Sequence, residues 1–193
     1  MQKNILDYFY KTVTINKTRT AVIEGESKIT FGSLFQRAQV LANFLLIKKE
    51  IRNKPVAIFL PKSIDLILSD IAVTISCNTY MNMDVKSPFE RIKNVFDLIK
   101  PEVVITDSVH LKSLNGAIEA DKILLLDGVD FFEEPNQSML VARLELQIDT
   151  DPLCIINTSG STGTPEGVVL NHRSYINYTN WASSTFKIDS DFR

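Results

Sequence analysis

Apolar residues at Ile5, Leu6, Phe9 and Val13 recur with helical spacing and predict a short docking helix. Thr20–Glu24 reads as a strand, Gly25-Glu26 as a turn and Lys28–Thr30 as the returning strand. Phe31, Leu34, Phe35, Ala38, Leu41, Ala42 and Leu45 then repeat at three and four, an amphipathic helix with Thr30 as its N-cap. Pro55–Leu60 is a continuous apolar run, as in strands buried on both faces. Ile64–Cys77 is apolar nearly all round and predicts a buried helix, followed by a short strand at Tyr80–Met83. Ser87, Pro88 and Glu90 together predict a capping box, with Pro88 in the first helical position. The stripe Phe89, Ile92, Val95, Phe96 and Ile99 continues that helix to a stop at Pro101. Val103–Thr106 and Ile123–Leu126 read as further buried strands. Buried strands alternating with helices predict an α/β fold, a mostly parallel sheet flanked by helices. Asp127–Asp151 carries the weakest pattern, and a subdomain seam is expected within 127–151; Asp130, Glu133 and Glu134 read as a solvated loop.

Composition narrows the classes. The chain has 193 residues, enough for one real core, with 45% apolar and 23% charged residues, as in globular proteins. A net charge of −2 gives no electrostatic footprint for nucleic acid or an anionic membrane. Lys48, Lys49, Arg52 and Lys54 cluster where the helix from Phe31 ends, so they read as cations answering its dipole. Met1–Asp7 lacks the apolar core of a signal peptide, and Ile64–Ile75 is too short and too interrupted to span a bilayer. Cys77 and Cys154 sit in apolar settings and read as reduced core residues, which points to a cytoplasmic protein. His110 and His172 are isolated, so no metal-ligand spacing appears.

The chemistry concentrates between two apolar runs, Leu153–Ile156 and Val168–Leu170, which predict two strands. Between them lie Thr158, Ser159, Gly160, Ser161, Thr162, Gly163, Thr164, Pro165, Glu166 and Gly167. Glycines let backbone N–H groups converge on an anion, and hydroxyls can donate to the same anion. The composition suits a phosphate-holding loop, and equally a long hairpin turn. No Gly-Lys-Ser/Thr follows, so the loop is not a Walker A motif. Glycine spacing and the strand that follows exclude a dinucleotide fingerprint.

As an ordered string, Thr158–Val168 resembles the phosphate-loop signature of the adenylate-forming (AMP-binding) enzymes. These include acyl-CoA synthetases, adenylation domains of nonribosomal peptide synthetases and D-alanine–carrier-protein ligases. Every position fits but one: Glu166 stands where the family usually has lysine, and a carboxylate repels polyphosphate. Upstream, Thr20–Leu34 is similar to the family's first strand pair and helix start. Tyr80–Asp84 and Pro88–Arg91 resemble segments of the peptide-synthetase and D-alanine-ligase branch. Cys77-Asn78-Thr79 replaces that branch's Gly-Ala-Ala, and Asn82 replaces its proline. After the loop, Asn171–Ser174 opens a helix whose His172-Arg173 match a family triplet; His172 reads as structural, and Arg173 is a candidate to offset the missing lysine.

The resemblance implies that 1–193 is the N-terminal portion of an adenylation domain. Thr158, Ser159, Gly160, Ser161, Thr162, Gly163, Thr164 and Gly167 would bind the nucleotide phosphates. ATP and Mg²⁺ are implied as cofactors, a small carboxylate, in this branch an amino acid, as substrate, and a phosphopantetheine-bearing carrier protein, or CoA, as acceptor. The resemblance also implies that the catalytic lysine lies beyond Arg193 and that this stretch alone is inactive. Glu166 and the end at Arg193 keep a second expectation open, a non-catalytic module with a scaffolding or interaction role.

Overall fold

The computed structural model describes residues 3–49, 51–159 and 165–188. Helix α1 (Leu6–Asn16) precedes a hairpin, β1 (Thr20–Glu24) and β2 (Ser27–Thr30), and then the long helix α2 (Phe31–Lys49). Alternation follows: β3 (Pro55–Phe59), α3 (Ile64–Ile75), β4 (Thr79–Asn82), α4 (Phe89–Ile99), β5 (Val103–Thr106) and β6 (Ile123–Leu125). Helix α5 (Gln137–Glu145), strands β7 (Pro152–Ser159) and β8 (Pro165–Asn171), and helix α6 (His172–Thr185) complete the order. The main sheet runs β6-β5-β3-β4-β7-β8. All its neighbours pair in parallel except β7 and β8, which are antiparallel. This is the mostly parallel α/β sheet that the strand-helix alternation predicts.

Strand β3 shows why the sheet needs helices on both faces. Side chains alternate along a strand. Val56 and Ile58 enter one core with Leu41 and Leu45 of α2 and Leu68 and Ala72 of α3. Ala57 and Phe59 enter the other with Met81 of β4 and Ile92, Val95 and Phe96 of α4. Each such Leu, Ile or Phe contributes ~1.5–3 kcal/mol by leaving water. Handedness forces this division. The β3-α3-β4 and β4-α4-β5 crossovers move in opposite directions across the sheet, so right-handed connections set α3 and α4 on opposite faces. Strands β3 and β4 stay paired to their carboxyl ends, but the loops that follow them leave for opposite faces, and the crevice between those loops is where open α/β sheets bind ligands.

Local chemistry departs from expectation in four places. Helix α4 begins one residue late, with Pro88 at the N-cap position and no side-chain cap, so the Ser87–Glu90 capping box does not form. Asp84 explains it: its carboxylate accepts the Lys86 amide (2.9 Å) and its carbonyl the Ser87 amide (2.9 Å), closing a turn that uses Ser87 before the helix starts. Secondly, the weakly patterned stretch holds α5, capped by Asn136, whose Oδ1 accepts the Met139 amide (3.1 Å). Thirdly, two of the four basic residues are engaged away from the end of α2: Arg52 donates to the Leu146 carbonyl at the end of α5 (3.0 Å), and Lys54 pairs with Glu102 (3.9 Å), while the side chains of Lys48 and Lys49 lie outside the described residues. Finally, Cys77 takes φ +56° at the end of α3, a left-handed conformation that costs an L residue ~1–2 kcal/mol. The thiol is buried, which pushes its pKa up to about 11. Thr30 does cap α2, its hydroxyl accepting the Ser33 amide at 3.2 Å.

Candidate functional site

Strands β7 and β8 form the stem of the glycine-rich loop. Their antiparallel ladder pairs Asn157 with Gly167, Thr158 with Glu166, and Ser159 with Pro165. The pairing brings both ends of 160–164 together, which fixes where that segment leaves the sheet. Because β4 and β7 are parallel, the exit lies at the same sheet end as the β3/β4 crevice. Of the sequence-predicted site residues, Gly160, Ser161, Thr162, Gly163 and Thr164 lie outside the described residues, as does the side chain of Ser159.

The described flanks are anchored individually. Thr158 Oγ1 donates across the stem to the Glu166 carbonyl (3.4 Å). Asn157 Nδ2 donates to Met83 Sδ (3.4 Å), tying the stem to the segment just after β4. Glu166 is exposed, so its carboxylate keeps its water. Gly167 has a packing reason to be glycine. A Cβ there would stand 2.8 Å from Ile99 Cδ1 and 3.1 Å from Ile155 Cγ2, so a side chain would have to displace the Ile99 tip and press on Ile155.

Helix α6 starts beside the stem. Asn171 caps it, its Oδ1 accepting the Ser174 amide (2.9 Å). His172 is fully buried. Its Nδ1 accepts the Ile5 amide (3.3 Å), and its Nε2 lies 2.8 Å from Gln147 Nε2. Asn4 bonds the far end of Gln147. Burial pushes the His172 pKa down to about 4. This ring fastens the start of α1 to the start of α6, the structural role the sequence suggested. Arg173 is engaged elsewhere among the described residues. Its guanidinium grips Asp149 with two bonds (2.8 and 2.9 Å), holding that carboxyl below the usual range.

Beside the stem lies a cavity of about 390 Å³. Asp70 of α3, Tyr80 and Asn82 of β4, Cys154 and Asn157 of β7, and Tyr175 of α6 all line it. Sequence reasoning missed this cluster, because its members lie on four elements, and the Tyr80–Asp84 segment that holds two of them reads in sequence as a strand and not as a site. The one available signal was Asp70, a carboxylate in the middle of a mainly apolar helix. Among the described residues no three His, Cys, Asp or Glu side chains converge, so nothing there is fit to cage Mg²⁺.

A family model described as AMP-binding enzyme matches residues 9–193. The chain belongs to the AMP-binding enzyme family. Among curated relatives of this AMP-binding chain, tyrocidine synthase 3 of Brevibacillus parabrevis is 30% identical over 184 residues. That match covers 95% of this chain and 3% of the synthase, so the chain spans a small part of its relative's length. In fold, it resembles VinN solved in complex with L-aspartate, with TM-score 0.81 and 15% identity, covering 98% of this chain and 50% of VinN. It likewise resembles the nonribosomal peptide synthetase FmoA3 (S1046A) in its AMPPNP-bound form. There the TM-score is 0.79 at 18% identity, covering 96% of this chain and 19% of FmoA3. No helix among the described residues of this AMP-binding chain is long and apolar enough to cross a membrane.

Proposed function

We infer that this chain supplies the phosphate-holding part of an ATP-dependent ligase that activates an amino acid as its acyl-adenylate. The observation that supports the reading is the β7–β8 stem, which brings Thr158 and Gly167 together at the carboxyl end of β7 in a chain of this family. The substrate carboxylate attacks the α-phosphate of ATP in line and pyrophosphate leaves. Backbone amides and hydroxyls of Thr158–Thr164 orient the β- and γ-phosphates and stabilise charge on the leaving group, by positioning and electrostatics. A phosphopantetheine thiol on a carrier protein then attacks the acyl carbon, forming a thioester as AMP leaves. The aspartate complex of VinN and the AMPPNP complex of FmoA3 support an amino acid and ATP as ligands.

Exposure of Glu166 favours an active loop despite the missing lysine. A charge in water-like surroundings acts on a phosphate at about 4 Å with only on the order of 1 kcal/mol. The test is pyrophosphate exchange by the longest native chain containing these residues, scanned over amino acids. Exchange with one or a few of them, abolished by Gly163→Asp, is expected. Glu166→Lys should lower the KM for ATP about five- to tenfold, the change for ~1–1.4 kcal/mol. Exchange unaffected by Gly163→Asp would overturn the loop assignment. No exchange with any carboxylate would favour the non-catalytic module, which Glu166 also fits.

A further inference from the structure

The cavity beside the stem has an unusual balance of polar groups. Asp70 Oδ2 accepts from Asn82 Nδ2 at 3.2 Å, while Oδ1 is buried with no hydrogen-bond partner. Asn157 Oδ1, on the opposite strand, is likewise buried and unpartnered. Both orphan atoms are acceptors. Cys154 donates its thiol proton to the Tyr175 hydroxyl (3.3 Å), and the Tyr80 ring stands beside it on the neighbouring strand. Among the described residues no cation pairs with Asp70. A buried carboxylate oxygen without a cation and a buried amide oxygen without a protein donor both favour a donor-rich guest.

We propose that this cavity is a binding site for a small primary ammonium compound, whose –NH₃⁺ group is held by Asp70 and Asn157 and whose carbon chain lies against Tyr80 and Tyr175. An ammonium carries one positive charge and three N–H donors, matching one carboxylate and one amide oxygen. Tyrosine faces suit the cation and its methylenes. Metal is the poorer match, since no ligand cluster forms among the described residues. An anion would meet Asp70, with only the exposed Arg91 at the rim to attract it. A second cavity of about 200 Å³ shares Asp70, Tyr80 and Tyr175 and is otherwise walled mainly by Leu6, Phe9 and Leu153, leaving apolar room for a longer chain. Asn82, where the resembling enzymes carry proline, supplies the bond that orients Asp70, so the site is a feature of this chain. The proposal does not rest on adenylation.

The pH dependence is specific. Burial raises the Asp70 pKa to about 7, opposed by the Asn82 bond. Around it, Tyr80, Cys154 and Tyr175 are all pushed upward by burial and stay neutral through this range. Helix α1 and the residue before it present only Ile5, Leu6 and Phe9 to this region, and Asp84 and Arg91 line the outer cavity, where both are exposed. A cation therefore binds the ionised form and loses affinity in acid.

The experiment is calorimetric titration of the longest native chain with n-butylammonium chloride, without ATP, from pH 8 to pH 5. Neutral n-butanol and tetramethylammonium chloride, which has no N–H donor, are the controls. Saturable binding is expected, with Kd about millimolar and at least tenfold tighter than either control. Kd should rise about tenfold per unit below pH 7. Asp70→Asn keeps the shape, and should weaken binding at least tenfold and flatten the profile. No saturation, equal binding of butanol, a flat wild-type profile, or undiminished binding by Asp70→Asn would each overturn the site. The wild-type profile decides the matter even if the variant fails to fold. Because no nucleotide is present, failure of pyrophosphate exchange leaves this result standing, and the reverse.

Discussion

Gly167 separates two reasons for a glycine in a phosphate-binding loop, and Gly167→Ala tests them. The new Cβ would stand 2.8 Å from Ile99 Cδ1 and 3.1 Å from Ile155 Cγ2. Both are inside van der Waals contact: the half-buried Ile99 tip must swing aside, and the buried Ile155 must give by a few tenths of an ångström. Overpacking of this kind costs ~1–3 kcal/mol. Gly167 is not among the residues with positive φ, so alanine brings no backbone strain and regains a few tenths of a kcal/mol of chain entropy. The expected net loss is about 1–2 kcal/mol. Ile99→Val removes the clashing methyl and alone costs ~0.5–1.5 kcal/mol. The double variant should be no less stable than Ile99→Val, a favourable coupling of about 1 kcal/mol or more between contacting sites. Urea unfolding of the four proteins, compared by midpoint at constant slope, measures the cycle. A neutral Gly167→Ala, or additive losses in the double variant, would refute the packing argument. Exchange activity adds a second reading. If stability returns in the double variant but exchange does not, the Gly167 backbone also approaches the nucleotide.

Three further outcomes follow from the same geometry. His172 has its folded pKa lowered to about 4 from an unfolded value near 6.5. The unfolded chain therefore binds more protons between these values, and stability falls as pH drops through that window, by ~3 kcal/mol in all. His172→Gln should be less stable at pH 7 yet lack this part of the acid slope, as read by thermal melts from pH 7 to pH 4. An equal slope in both proteins would contradict it. Asp70 behaves oppositely: its pKa rises to about 7, so ionisation destabilises the fold as pH climbs from the ordinary carboxylate range through 7. Asp70→Asn should melt higher than the parent at pH 8, by less at pH 5, and nearly equal to it only below the ordinary carboxylate range, near about pH 3.5; a lower melting point at pH 8 would count against the raised pKa. Arg173→Gln breaks the exposed grip on Asp149 and should leave the KM for ATP within about twofold of the parent, a difference below about 0.5 kcal/mol. A tenfold rise would return Arg173 to the phosphate site.

Most of the architecture was legible in residue pattern. Pro55–Phe59 declared a strand buried on both faces because every residue in it is apolar, and the fold uses Val56 and Ile58 on one face and Ala57 and Phe59 on the other. The string Thr158–Val168 likewise located its loop between two strands, since a contiguous motif travels intact from sequence to structure. Helix α5 was not legible. Only Leu140 is buried in it, while Val141 and the following Leu146 are exposed, which blurs the helical period. The capping box failed because Asp84, outside the motif, closes its own turn first.

What the chain's order of residues determined by itself was whatever depends on neighbours in sequence: strands, amphipathic helices, caps and the glycine-rich loop. What only the tertiary structure decided depends on residues far apart. It set Gly167 against Ile99, buried His172 between Ile5 and Gln147, turned Arg173 to Asp149, and gathered Asp70, Asn82, Cys154, Asn157 and Tyr175 around one cavity. The physical reason is that burial and desolvation are properties of a place in the packed molecule. A carboxylate or imidazole acquires its charge state only when the surrounding elements have excluded water from it.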